Sequence, residues 1–277
     1  LTELKQLFEH ATTFGSLIQV PEELASSLPA LKQLSEATSQ DLFVSEALKR
    51  LGPLVQQAEL LAAQYDSVVA NPPYMGSKFH GSLLKEFAKR NFPPAKSDLF
   101  ACFIERSYML SKEPGRIAMV TMQSWMFISS FQALRERLLR DKSITTMSQI
   151  GYNSFPSLNS KVAQATVFSL LNQRAGNFAA SYVDLNSAPQ SADKESVFRH
   201  RDDSVCFVVS ADDLGRIPGS PMAYWVSPAL AAAFASGRTL SQRVRGIQGI
   251  ITGSNSDFLR YWPEVSRHAS VAPPRML

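Results

Sequence analysis

The chain has 277 residues, 45% of them hydrophobic and 19% charged, with 13 Gly, 16 Pro and 2 Cys, a globular composition that excludes disordered and fibrous classes. No run approaches the roughly 18 apolar residues of a membrane span, and the opening LTELKQLFEH lacks the basic start and apolar core of a signal peptide, so the reading is a soluble, cytoplasmic protein without a membrane partner. The net charge of +4 hides an asymmetry: residues 1–70 hold four Lys+Arg against nine Asp+Glu, and residues 71–277 hold 24 against 15, so the later part carries the surface a polyanionic partner requires.

The elements follow in chain order. Residues 1–64 read as helical hairpins, with LKQLFEHA, LPALKQLSEA and DLFVSEALKRL carrying apolar residues at three- and four-residue spacing, punctuated by Pro21, Pro29 and Gly52-Pro53. YDSVVA, residues 65–70, is a short β-branched run stopped by Asn71-Pro72-Pro73 and reads as a buried strand ending in a rigid turn. Residues 81–90 are helical. SDLFACFIERSYML is a helix capped by Ser97, with Leu99, Phe100, Phe103 and Ile104 on one face, ended by Pro114-Gly115. RIAMVT is a second strand, SSFQALRERLLR a basic helix and ITTMSQIG a third strand, while VAQATVFSLL and FAASYVDL form a further pair, antiparallel in one arrangement. This βαβ alternation is that of an α/β, doubly wound sheet. Beyond about residue 188 come short strands, turns and a helix near SPALAAAFASG, a mixed α+β segment. The domains are therefore 1–64, helical; 65–187, the sheet; and 188–277, accessory. Cys102 and Cys206 stand far apart with no CxxC partner, so neither a disulfide nor a metal site is expected, and Cys206 reads as a buried strand residue. The chain lacks an initiator Met and ends in the Pro-containing SVAPPRML, which reads as a piece of a longer protein.

Asn71-Pro72-Pro73-Tyr74 carries the chemistry. Ligands of open α/β sheets bind at strand carboxyl ends, and two prolines fix two φ angles there. The turn holds one amide side chain and one free carbonyl in a constant relation and adds an aromatic face. The Asn71 Oδ1 and the Pro72 carbonyl can each accept one hydrogen of a planar group's NH2 while Tyr74 stacks on the ring bearing it. The alternative is a rigid turn with an incidental tyrosine.

These residues resemble motif IV of the amino-group DNA methyltransferases that act on N6 of adenine. SDLFACFIER resembles their motif V, GRIAMVTMQSWM the strand and turn that follow, and IGYNSFPSLNSKVAQATVFSLL the segment with motif VIII. The runs ANPPYMGSK, KSDLFACFIER, VTMQSWMFISS, IPGSPMAYWVS and TGSNSDFLRYW are similar to the adenine methyltransferases of bacteriophage-exclusion (BREX) and phage-growth-limitation systems. The resemblance implies a Rossmann-like methyltransferase sheet, S-adenosylmethionine as cofactor without a metal, double-stranded DNA as partner, and other phage-defence proteins as further partners in a restriction-modification or BREX setting. Asn71, Pro72, Pro73 and Tyr74 would be catalytic, with Tyr74 and Phe155 against the flipped base and Asn71, Pro72 and Phe103 toward the cofactor. Phe103 reads equally well as a core residue of its helix. Residues 65–187 would then be the catalytic half of the methyltransferase domain, and 188–277 the start of a target-recognition or accessory region.

The Gly-rich motif I of that family has no counterpart: TTFGS holds one Gly and follows no strand. The expectation is that this motif lies upstream of Leu1 and that the present chain is inactive alone. Lys78, Lys85, Lys89, Arg90 and Lys96 form one basic cluster and Arg135, Arg137, Arg140 and Lys142 a second; both are candidates for phosphate contacts or for solvated helix faces. Two other readings stay open, a non-catalytic DNA-binding fragment and a protein-glutamine methyltransferase, because a glutamine amide is also a planar NH2.

Overall fold

A computed structural model of the chain describes residues 1–152, 164–176, 178–187, 193–236 and 244. The amino-terminal helices are α1 (Thr2–Phe8), α2 (Ala11–Phe14), α3 (Glu22–Ser35) and α4 (Leu42–Ala62). Pro29 and Pro53 lie inside α3 and α4 rather than between helices. A proline costs a helix interior about 3 kcal/mol; here burial offsets it, since Leu24, Leu28, Leu51, Val55 and Ala58 close over Leu4, Phe8 and Ile18 in one apolar cluster. The Asp41 carboxylate fixes the start of α4 by accepting from the amides of Phe43 and Val44.

The sheet has six strands, β1 (Tyr65–Ala70), β2 (Ser111–Met122), β3 (Ser143–Gly151), β4 (Ala165–Leu171), β5 (Ala179–Asp184) and β6 (Cys206–Ser210), in the order β1-β2-β4-β3-β5-β6. Pairings β1/β2 and β3/β5 are parallel and the rest antiparallel, so the sheet is mixed. The expected β4/β5 pair does not form: β4 inserts antiparallel between β2 and β3, and β5 lies on the far side of β3. In that central position β4 buries the alternating Thr166, Phe168 and Leu170. Helices α5 (Ser82–Asn91) and α6 (Leu99–Leu110) join β1 to β2, and α7 (Gln132–Asp141) joins β2 to β3. Pro114-Gly115 lies within β2 rather than closing α6, at the register shift opposite Tyr65 and Ser67.

Because β1, β2 and β3 run one way and β4 the other, the exits of the first three and the entry of the fourth share one end of the sheet. The strand β1 is outermost and only half-buried: Val68 and Ala70 pack on the core, whereas Val69 is 79% exposed. The sequence expectation of a fully buried strand is corrected on this point, since an edge strand with a helix on one face hides only alternate residues.

Later elements are α8 (Lys194–His200), α9 (Ala211–Gly215) and α10 (Pro228–Ser236). β6 extends the same sheet, and Leu214, Met222 and Tyr224 join its core. Residues 1–236 form one compact unit. No helix among the described residues is long and apolar enough to cross a membrane.

Arg106 of α6 is buried and donates from Nε to the Ser16 carbonyl and from Nη2 to the Leu61 carbonyl, both at 2.9 Å. Burial pulls its guanidinium down to about 10, so it stays charged at neutral pH and staples the amino-terminal helices to the sheet layer.

Cys206 is half-buried in β6, not buried as expected, whereas Cys102 is fully buried. Burial pushes the Cys102 thiol up to about 12, leaving roughly one part in ten thousand as thiolate at pH 8. Native labelling with a thiol reagent should therefore modify Cys206 first, and Cys102 only with unfolding; equal native rates would contradict the burial.

Candidate functional site

Asn71 leaves β1 exposed, Pro72 is buried, Pro73 is exposed and Tyr74 is half-buried. Pro72 thus pins the turn to the protein while Asn71 and Tyr74 stay accessible. The Tyr74 hydroxyl donates to Asn71 Oδ1 at 3.2 Å and to the Val120 carbonyl at 3.4 Å. Both exceed the usual 2.7–2.8 Å, so the hydroxyl holds Asn71 oxygen-inward through bonds that a ligand can displace. The ring is set by an edge contact with Phe100 at 6.2 Å and 89°, which leaves its orientation to packing rather than to the hydroxyl. Tyr74→Ala should weaken binding of an unstacked base by about 1–3 kcal/mol. Tyr74→Phe should be mild, and equal damage from both would show that the hydroxyl is the functional part.

The turn's exit is held by a residue the sequence reading passed over. Asp98 Oδ1 accepts from the Met75 amide at 3.0 Å, the Met75 carbonyl accepts from the Leu99 amide at 3.0 Å, and the Ser97 carbonyl accepts from the Ser77 amide at 2.9 Å. The same carboxylate caps α6 through the Phe100 amide at 3.3 Å. The cap is therefore Asp98 and not Ser97, because one carboxylate can serve a helix terminus and a strand exit at once. His80, buried, places Nε2 at 2.9 Å from the Met75 carbonyl. Burial pushes the Asp98 carboxyl up while the amides of Met75, Phe100 and Leu99 and the nearby His80 pull it down. The SDLF tetrapeptide carried a signal for this clamp, since Asp is as good a cap as Ser.

Phe103 sits two residues beyond Ala101 on α6. Its neighbours Leu99–Cys102 and Ile104–Tyr108 are buried, and Phe103 alone among them stays half-buried. It packs against the core with part of its ring open. Phe155 lies outside the described residues, but the points where its segment leaves and rejoins the sheet are described. Gly151 ends β3 at φ +70°, where a Cβ would come within 1.9 Å of Asn186 Oδ1, so only glycine suits this exit.

The basic clusters divide. Lys78, Lys85, Lys89, Arg90 and Lys96 are exposed. The bridge between Gly76 and Asp98 brings the flanks of Lys78 and Lys96 together beside the turn. Arg135 is corrected: it is 2% exposed, and its guanidinium donates to the carbonyls of Trp125, Ile128, Gly219 and Ser220 at 2.7–3.2 Å, so it has no face for a phosphate. Its position inward on an amphipathic helix, one step from Leu134 and three from Leu138, is the reason. Arg137 pairs with the buried Glu105 carboxylate, and Arg140 with Asp141. Among the described residues no group of three His, Cys, Asp or Glu is placed to hold a metal ion.

Residues 217–226 also reach this end of the sheet. Besides the Arg135 bonds, the Met222 amide donates to the Met126 carbonyl at 2.9 Å and Trp225 packs on Phe127 at 5.7 Å.

The family profile of the Eco57I restriction-modification methylases matches residues 12–155, over half of the chain. Adenine-specific methyltransferase BrxX of Escherichia coli O9:H4 (strain HS) is 42% identical over 264 residues, which is 94% of this chain and 22% of BrxX. Adenine-specific methyltransferase PglX of Lacticaseibacillus casei (strain Zhang) is 36% identical over 217 residues, 76% of this chain and 18% of PglX. The chain thus spans about a fifth of the length of these relatives. A modification subunit of a putative type I restriction enzyme from Vibrio vulnificus YJ016 superposes at a TM-score of 0.43 and 15% identity, over 64% of this chain and 47% of that one. With its NPPY turn at the head of the matched region's sheet, the chain belongs to the Eco57I restriction-modification methylase family.

Proposed function

We propose that the protein containing this chain transfers a methyl group to N6 of an adenine swung out of double-stranded DNA, in a restriction-modification or BREX-type defence against phage. The observation that carries the reading is the Asn71–Tyr74 turn, open at the strand ends, pinned by Pro72 and clamped at its exit by Asp98. S-adenosylmethionine, when bound, supplies a methyl group activated by its sulfonium. Phe103, Asn71 and Pro72 would form one wall for it, with Phe103 meeting the adenine ring.

The exocyclic N6 is delocalised into the purine and is a weak nucleophile. Asn71 Oδ1 and the Pro72 carbonyl accept its two hydrogens and favour the pyramidal, more electron-rich nitrogen of the transition state over the planar ground state. The Tyr74 hydroxyl gives up its long bond to Asn71 Oδ1 as the amino group arrives, and the ring returns part of the few kcal/mol spent on unstacking. Phe155 would take the other face of the base. Lys78, Lys85, Lys89, Arg90 and Lys96 hold the backbone beside the turn. DNA affinity should then fall steeply with salt, and Lys85→Ala with Lys89→Ala should flatten the log–log salt slope by about 0.9 for each phosphate no longer neutralised. An unchanged slope would assign these lysines to solvent.

Digestion of DNA modified by the intact protein tests the substrate. N6-methyladenine supports the reading; methylcytosine, or methylation of a glutamine peptide in place of DNA, overturns it.

A further inference from the structure

Tyr224, Gln149, Gln123 and Gln164 form a line of hydrogen bonds with a single direction. The Tyr224 hydroxyl donates to Gln149 Oε1 at 2.7 Å, Gln149 Nε2 donates to Gln123 Oε1 at 3.0 Å, and Gln123 Nε2 donates to Gln164 Oε1. Tyr224, Gln149 and Gln123 are all at least nine-tenths buried. An amide in such a line accepts through its oxygen and donates through its nitrogen, so reversing one member sets oxygen against oxygen and nitrogen against nitrogen on either side. Tyr224 is the donor at its head. Burial and the nearby Asp184 and Tyr182 push the Tyr224 phenol up, which keeps its proton available to Gln149, and its ring is stacked on Tyr182 at 4.9 Å and 15°.

The members sit at chosen places. Gln149 is two residues before the end of β3, Gln123 directly follows β2, and Gln164 directly precedes β4. The Gln123 amide also donates to the Gln164 carbonyl at 2.8 Å. The line therefore ties together the exit of β3 and the entry of β4, the two ends of the connection that contains Phe155, and anchors both to the β2 exit three residues from Val120, the carbonyl facing Tyr74. Its head, Tyr224, belongs to the 217–226 segment.

We propose that Gln123, Gln149 and Gln164, headed by Tyr224, are positioning residues for capture of the target base: they fix the exits of β2 and β3 and the entry of β4 relative to one another beside the Tyr74 turn, and make that arrangement depend on the 217–226 segment being seated. The inference rests on the functional reading above. Two buried amides and a half-buried third are a poor way to fill a core, where apolar side chains would pack without polar obligations; a directed line across three strand ends instead specifies one relative arrangement of them.

The test uses the intact methyltransferase with duplexes carrying its target adenine either paired normally or opposite a mismatch, which lowers the energy of swinging the base out. Tyr224→Phe removes one oxygen atom and leaves the Tyr182 stack, and Gln149→Leu interrupts the line at its second member. Both variants should lower kcat on the matched duplex by tenfold or more with KM for DNA within threefold. On the mismatched duplex both should recover to within threefold of the wild-type rate. Equal losses on the two duplexes would mean that the line only supports the fold, and overturn the proposal, as would a Tyr224→Phe variant matching the wild type on paired DNA. If Gln149→Leu does not fold, Tyr224→Phe alone decides. Failure of the wild type to methylate adenine at all would instead remove the functional reading and this inference with it.

Discussion

Replacing Asn71 by alanine in the intact methyltransferase is expected to lower kcat by about 10²–10³, corresponding to about 2.7–4 kcal/mol, with DNA affinity changed by only a few fold. The asymmetry follows from where Asn71 stands. It is exposed at the β1 exit, its oxygen is oriented by the Tyr74 hydroxyl, and the basic residues that would meet phosphates lie on other elements. Removing its acceptor withdraws stabilisation needed only as the amino nitrogen becomes pyramidal, while the Pro72 carbonyl remains. Single-turnover methylation paired with a binding titration checks this. A variant that methylates at nearly the wild-type rate would show that the amino group is held elsewhere, and a matched loss of affinity would make Asn71 a binding residue.

The second large effect concerns stability. Arg135→Ala should destabilise the protein by about 3–5 kcal/mol, because it strands the carbonyls of Trp125, Gly219 and Ser220 in an interior where each unpaired acceptor costs about 1–3 kcal/mol, while the Ile128 carbonyl keeps the Phe131 amide. Arg135→Lys should rescue little, since an ammonium cannot address four acceptors spread around a planar fork. Urea denaturation reads the loss directly. If Arg135 instead faced phosphate, the variant would melt normally and the salt dependence of DNA binding would weaken by about one charge.

The β1 turn and its chemistry were legible because prolines, a β-branched run and an aromatic are local signals whose meaning survives any tertiary context. The helices α5, α6 and α7 were legible from periodicity for the same reason. Pro29 and Pro53 misled because a helix break is a local cost, and the apolar faces of α3 and α4 that outweigh it are seen only when the four helices close together. The partners of β4 were hidden because alternation fixes which face a strand buries but not which strand lies beside it. Arg135 looked like its neighbours Arg137 and Arg140 in a run of basic residues; its difference is set by carbonyls of the β2 exit and by two more than 80 residues away in sequence. Tyr224 and the glutamines carry no short-range signature, since a buried amide is distinguished only by its partners.

The Arg106 staple also bears on how the molecule comes apart. Peeling the amino-terminal helices from the sheet would break both charge-assisted Arg106 bonds as well as expose apolar area, so partial opening at residue 64 loses two stabilising contributions at once. The change from helices to strands there marks a change of secondary structure across which unfolding is shared. In native-state hydrogen exchange, amides of α4 and of α6 should open together, with one free energy and one denaturant dependence, as members of a single cooperative unit.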